Sequence, residues 1–404
     1  MAYGKEKIHL EIQTNTSKNP VGILRSSYRE NGKIKHKQYG RITGKTLQEL
    51  KLLQLAFRGQ VLPGHAPEAL RIIQSKEYGA SAALLQVIKS IHLDKVIYSR
   101  NEPWVAAALT MIAGRILYAG SKLSLCNQYD NTCLFELMGI EGRPDVERHC
   151  YIPLDELLAR QDHIQKSLAK QYLADGHLVL YDITSSYLEG AYNESELAAF
   201  GYNRDKKSGH KQIVIGLICN KAGCPVAVEV FPGNTKDEST VIDKVRELKD
   251  KYCIKEVIFV GDRGMLTKSN LEKLSTADVP ATEMNEEEVV GSYKDLSLVE
   301  QSFRSLKTVH LEMRPIYHHI EQRIKGHIFL CMLAYHVQWH MKERLKALFS
   351  VDGRGKYRRW SFEGVLETLK SITRNRVLIN EVEVIKHSEP TTEQAYILEL
   401  LSRC

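Results

Sequence analysis

Two runs of strand length and unbroken apolar character constrain this chain most: HLVLY at 177–181 and VIFV at 257–260. Neither alternates with charged residues, so each is expected to be buried on both faces, in a sheet covered by helices on either side. Each run then meets a carboxylate, Asp182 directly and Asp262 after a single glycine. A carboxylate at the end of a buried strand needs hydrogen bonds, a charged partner or a metal ion to offset its lost hydration. A helix cap or a turn would explain either acid alone. Two acids ending two such strands point to one shared site.

The elements around these runs are legible. KQIVIGLICN and CPVAVEVFPGN read as two further strands, separated by the turn Lys221-Ala222-Gly223. DESTVIDKVRELKD reads as a helix before VIFV, and residues 285–308 as mostly helical, with an acidic start that suits the helix dipole. Strand, strand, strand, helix, strand, helix predicts an α/β core of the ribonuclease-H-like kind. Upstream, SAALLQVIKSI, PWVAAALTMIAGRILY and LDELLARQDHIQKSLAKQYL carry apolar residues at three- and four-residue spacing, which predicts helices. Pro103 and Pro153 fall near helix starts, where a lost N–H costs little. At 404 residues the chain exceeds one ordinary domain. The expected division is a basic β-hairpin module over 1–60, a helical domain over 61–175, the α/β core over 176–310 and a helical region over 311–404.

The N-terminal module carries the charge. Residues 1–51 hold eleven Lys/Arg and four acidic residues, an excess equal to the +7 of the whole chain. Asn31-Gly32 between two β-rich runs signals a tight hairpin, because a type I′ turn needs positive φ at both central residues. Period-two alternation then sets Lys33, Lys35 and Lys37 on one face of the second arm. A concentrated basic strip on an otherwise neutral chain suits phosphate tracking as well as it suits a solvated hairpin.

No apolar run approaches the roughly 20 residues that span a bilayer, so no membrane partner is expected. The start, MAYGKEKIHLEIQ, lacks the apolar stretch of a secretory signal, and a cytoplasmic location is expected. Eight cysteines form no CxxC pair and are expected to be buried thiols. Cys126, Cys133 and His149-Cys150 fit the spacing of no common zinc module.

The two aspartates and one further acid form a carboxylate set. Like charges meeting at one end of a sheet do not ionise comfortably together without a cation, and hard oxygen ligands suit Mg²⁺ or Mn²⁺. Two ions about 3.5–4 Å apart would activate a water or a 3′-OH and stabilise the leaving oxygen of an in-line displacement at phosphorus. The third acid is chosen among several. Glu300 lies in YKDLSLVEQSFRSLK, where helical spacing sets Tyr293, Glu300, Arg304 and Lys307 on one face, a pattern that suits DNA phosphates. An ordinary Glu–Arg surface pair explains part of the same pattern. Glu321 is the rival, without the neighbouring Tyr and Lys.

YDITSSYLEG, GYNRDKKSGHKQIVIGL with FPGNTKDEST, VGDRGM, and LVEQSFRSLKTVHLEMRPIYHHIEQRIKGHIFLCMLAYHV resemble the DDE insertion-sequence transposases that carry a Tyr-Arg-Glu-Lys signature. The branch they resemble has a large inserted domain, and the match covers most of 177–340. The signature Y-x2-R-x3-E-x6-K falls on Tyr293, Glu300 and Lys307, with Leu296 at its arginine position and Arg304 as a substitute. The resemblance implies two metal ions on Asp182, Asp262 and Glu300, and Tyr293 and Lys307 holding the DNA end. It further implies cleavage at terminal inverted repeats, strand transfer to target DNA, and a homodimer holding two ends. Asp262 and Glu300 are only 38 residues apart, so the family's insertion is expected to be deleted here. A derivative that binds DNA without cutting it is the alternative, and a general nuclease without end preference is a third reading. Arg204 in the basic turn before the second strand, and Arg314, Arg323 and Lys325 in RPIYHHIEQRIKGH, are expected phosphate contacts.

Overall fold

The structure is a computed structural model. It describes residues 8–14, 20–30, 33–59, 70–173, 177–190, 192, 194–201, 209–236, 257–260, 297–309, 311–314, 316–349, 360–379 and 382–403. The chain divides into two compact units, Met1–Ser75 with Arg374–His387, and Lys76–Thr373 with Ser388–Cys404.

In the first unit, β1 (Ile8–Gln13), β2 (Val21–Glu30) and β3 (Lys33–Ile42) form an antiparallel sheet in that order. The β2–β3 ladder closes at Glu30 opposite Lys33, the register a two-residue turn at Asn31-Gly32 requires. A helix over Leu47–Phe57 packs on this sheet, and Leu10, Leu50 and Leu53 make its core. Gly22 permits the approach: a Cβ there would lie 2.9 Å from Leu50 Cδ2 and 3.0 Å from Leu10 Cδ1. The helix starts at Thr46, whose Oγ1 accepts from Glu49 N (3.3 Å) while Glu49 Oε2 accepts from Thr46 N (2.7 Å). This reciprocal cap satisfies two amides the first turn leaves open.

A second sheet combines β4 (Leu70–Glu77), β9 (Thr373–Ile379) and β10 (Val382–His387), in the order β10-β9-β4. The region 311–404, expected to be mostly helical, is therefore interrupted by a hairpin. RVLINEVEVIKH carries its own reason, since β-branched residues at alternate positions favour a strand. Likewise β4 lies in the stretch expected to be helical over 61–175.

In the second unit, β5 (His177–Tyr187), β6 (Gln212–Asn220), β7 (Pro225–Pro232) and β8 (Val257–Val260) form a four-stranded sheet in the order β7-β6-β5-β8. β5, β6 and β7 pair antiparallel, and β8 runs parallel to β5, from His177 opposite Val257 to Leu180 opposite Val260. Eight of the nine β6 residues are buried, so both faces of this sheet are covered. The main cover is the helix Glu321–Arg344, buried from Gly326 to Gln338 and packed against β7 and the helices Pro103–Tyr118 and Ile152–Ala159. Each Leu, Ile or Phe it buries contributes roughly 1.5–3 kcal/mol of transfer free energy. The stretch 154–173, expected as one helix, breaks at Arg160 into Ile152–Ala159 and Gln161–Tyr172. Among the described residues no single helix is long and apolar enough to cross a membrane.

Candidate active site

Asp182 lies in the middle of β5, opposite Leu217 of β6, and is only 8% exposed. Its Oδ1 accepts a hydrogen bond from Ile183 N at 2.8 Å. Alternation places Asp182, Thr184 and Ser186 on one face of the strand and Tyr181 and Ile183 on the other. A polar strip on a buried strand is costly unless a partner meets it. Lys307 meets it: its buried Nζ donates to Thr184 Oγ1 at 2.5 Å, which sets an ammonium beside the carboxylate-bearing face. The negative charge of Asp182 is felt on the neighbouring strand, where burial first, and Asp182 after it, push the Cys219 thiol upward.

Residues 297–304 are helical and run into a π-helical turn, Ser305–Val309. Val299, Ser302, Phe303 and Leu306 are buried, whereas Glu300, Gln301 and Arg304 are exposed. Ser302 Oγ donates to Leu298 O (2.8 Å) and lies 3.1 Å from Tyr335 Oη. The start of this helix abuts the β6–β7 turn, where a Cβ on Gly223 (φ +79°) would lie 3.0 Å from Leu298 Cβ. The helix thus crosses the sheet that carries Asp182.

Sequence spacing set Lys307 on one face with Glu300 and Arg304, and here the structure differs. The π turn closes i→i+5 bonds and is wider than an α turn, so Lys307 rotates inward to Thr184 while Glu300 and Arg304 stay outward. Asp262, Tyr293 and Arg204 lie outside the described residues.

Glu321 has another occupation. At the start of its long helix, its Oε1 accepts from Ser195 Oγ (2.6 Å) and Leu197 N (2.9 Å), and these bonds hold its carboxyl below the usual value. It pins the 195–198 segment.

The expected basic contacts have diverse surroundings. Lys33, Lys35 and Lys37 are exposed along β3. The Arg314 guanidinium lies 5.8 Å from the ring of Tyr187, at the end of the Asp182 strand. Arg323 is engaged by Glu147 (3.1 Å) and Asp155 (3.8 Å) and stacks 4.3 Å over Tyr151. Lys325 is half-buried one turn from Glu321, whose carboxyl it helps to hold ionised.

A cationic pocket escaped the sequence reading. Arg115, Lys122, Tyr151, Arg314, His318 and His327 are among the residues around a cavity of about 240 Å³. Lys122 Nζ lies 2.9 Å from His318 Nε2 and 2.9 Å from His327 Nδ1, and His327 Nε2 donates to Met313 O at 3.0 Å. Burial, with the charge of Arg115, lowers Lys122 to about 7. Burial, with the charge of Lys122, lowers His318 to about 3, so both imidazoles accept from the lysine as neutral rings. The basic run around Arg314 was visible, but Arg115 and Lys122 lie about 200 residues earlier in apolar helices.

Residues 177–337 match the family model of the transposase DDE domain. No curated protein matches the chain. Among solved structures, the Mos1 transposase paired-end complex with left transposon end is similar over 78% of this chain and 89% of that one, at 13% identity and a TM-score of 0.19. That likeness carries no argument about geometry.

Proposed function

We propose, from the premise that residues 177–337 form a transposase DDE domain, that this chain cleaves phosphodiesters at the ends of an insertion sequence and joins the freed 3′-OH to target DNA. The observation that carries the reading is the parallel ladder of β5 and β8. Its last pair is Leu180 with Val260, and Asp182 and Asp262 each follow two residues later in sequence. The strand order β7-β6-β5-β8, with the outer strand parallel to β5, supports a ribonuclease-H-like core.

The residues present fit a hard divalent cation. Asp182 is a buried carboxylate on a strip that also carries the hydroxyls of Thr184 and Ser186, and all of these donors are oxygen. Asp182, Asp262 and Glu300 would hold two Mg²⁺ or Mn²⁺ ions, which requires Glu300, outward-facing here, to turn toward the Asp182 face when ions and DNA bind. When bound, such ions make a hydroxyl nucleophilic at neutral pH and stabilise the leaving oxygen. The chain's own residues do the rest. Lys307, held against Thr184, presents a fixed positive charge to a phosphate at the carboxylate face, and Arg304 and Tyr293 make separate phosphate contacts. Lys33, Lys35 and Lys37 bind the duplex through its phosphates, with Arg204, Arg314, Arg323 and Lys325 as further contacts. A homodimer holds the two terminal inverted repeats together.

The test is cleavage and strand transfer on terminal-repeat DNA with Mg²⁺, with folding followed by circular dichroism. Asp182→Asn, Asp262→Asn and Glu300→Gln should each fold and bind ends but fall to background cleavage. Tight end binding by the wild-type chain without turnover, or full cleavage by Glu300→Gln, overturns the reading. Equal cleavage of unrelated DNA overturns the end specificity.

A further inference from the structure

The helix Glu321–Arg344 carries two histidines one turn apart, His336 and His340, on the side that faces β7. Cys224 lies just before β7, and one ligand atom from each of these three residues lies within 4.8 Å of the others. Cys224 Sγ is 3.5 Å from His336 Nδ1. We propose that Cys224, His336 and His340 form a Zn²⁺ site that clamps the long helix to the β6–β7 hairpin.

Three features support it. A thiolate and imidazoles are the donors that tetrahedral zinc prefers, at bond lengths of about 2.3 and 2.0–2.1 Å. With Nδ1 of His336 donating to Pro225 O at 2.9 Å, the Nε2 lone pair is left for a metal, and a backbone carbonyl is a common orienting partner of ligating histidines. His340 Nε2 is buried without a hydrogen-bond partner among the described residues, a costly state that a metal bond relieves.

Tyr172 closes the site from the side, its ring 4.9 Å from that of His336 and 5.4 Å from that of His340. The thiol pair Cys126 and Cys150, 3.8 Å apart, gathers no such ligand cluster among the described residues and serves as an internal control.

The experiment is zinc analysis of the full-length protein by mass spectrometry, with Co²⁺ loading of the EDTA-treated form. The expected result is one zinc per chain in wild type, Asp182→Asn and Cys150→Ser. Cys224→Ser and His340→Ala should lose it, and Co²⁺ should give a thiolate charge-transfer band that Cys224→Ser abolishes. Circular dichroism checks folding, and His340→Gln provides a milder variant should Cys224→Ser fail to fold. Zinc-free wild type that shows neither the Co²⁺ band nor a rise in Tm on adding Zn²⁺ overturns the proposal. So does undiminished zinc in folded His340→Ala or His340→Gln.

Discussion

Replacing Lys122 by methionine should change how stability responds to pH, by an amount the structure sets. Lys122 is buried, and its ammonium is lowered from an ordinary 10.5 to about 7. The unfolded chain therefore binds more protons than the folded one between about pH 7 and pH 10.5, and stability must rise with pH across that window. A shift of this size corresponds to a penalty of about 4 kcal/mol near pH 7, falling below about 1 kcal/mol near pH 10. The wild type should thus gain about 3 kcal/mol relative to Lys122→Met over that range. Methionine also leaves His318 Nε2 and His327 Nδ1 without their donor, at a cost of roughly 1–3 kcal/mol each. Neither ring titrates above pH 7, since burial holds both low, so that cost shifts the comparison without tilting it. Urea unfolding of both proteins at several pH values and fixed ionic strength reads the difference directly, and other titrating groups cancel. A difference that stays flat from pH 7 to pH 10 would refute the reasoning.

Two further outcomes follow from particular side chains. Glu321→Gln should lower stability by about 1 kcal/mol at neutral pH, because the charged acceptor of the Ser195 and Leu197 bonds becomes neutral. The Glu321 carboxyl sits below its usual value, so this contribution is complete above that value and disappears as the pH falls through the folded one. Thermal unfolding of both forms at neutral and acidic pH checks it, and a gap that persists under acid contradicts the assignment. Exchanging Lys33, Lys35 and Lys37 for glutamine should flatten the plot of log binding constant against log salt, by up to about 0.9 for each phosphate no longer neutralised. An unchanged slope in a fluorescence-anisotropy titration would remove β3 from the DNA interface.

What the sequence determined was the two apolar strands, with Asp182 on one of them. Unbroken apolar runs of four or five residues can satisfy their backbone only inside a covered sheet, so β5 and β8 were legible, but Asp182, expected to end its strand, lies within β5, which continues to Tyr187. The antiparallel pairing of β2 with β3 was legible because Asn-Gly between two β-rich runs is a strong hairpin signal. Helices with apolar residues at three- and four-residue spacing were legible for the same local reason. The tertiary structure decided what depends on distant partners. Period-3.6 counting carried Lys307 to the outer face, and the π turn brought it to Thr184. The β9–β10 hairpin was hidden among helical neighbours, and its pairing with β4 joins segments about 300 residues apart. Lys122 with His318 and His327, and Cys224 with His336 and His340, are brought together by packing alone. Local propensity acts over a few residues, whereas a buried polar cluster is selected by whatever the folded chain sets opposite it.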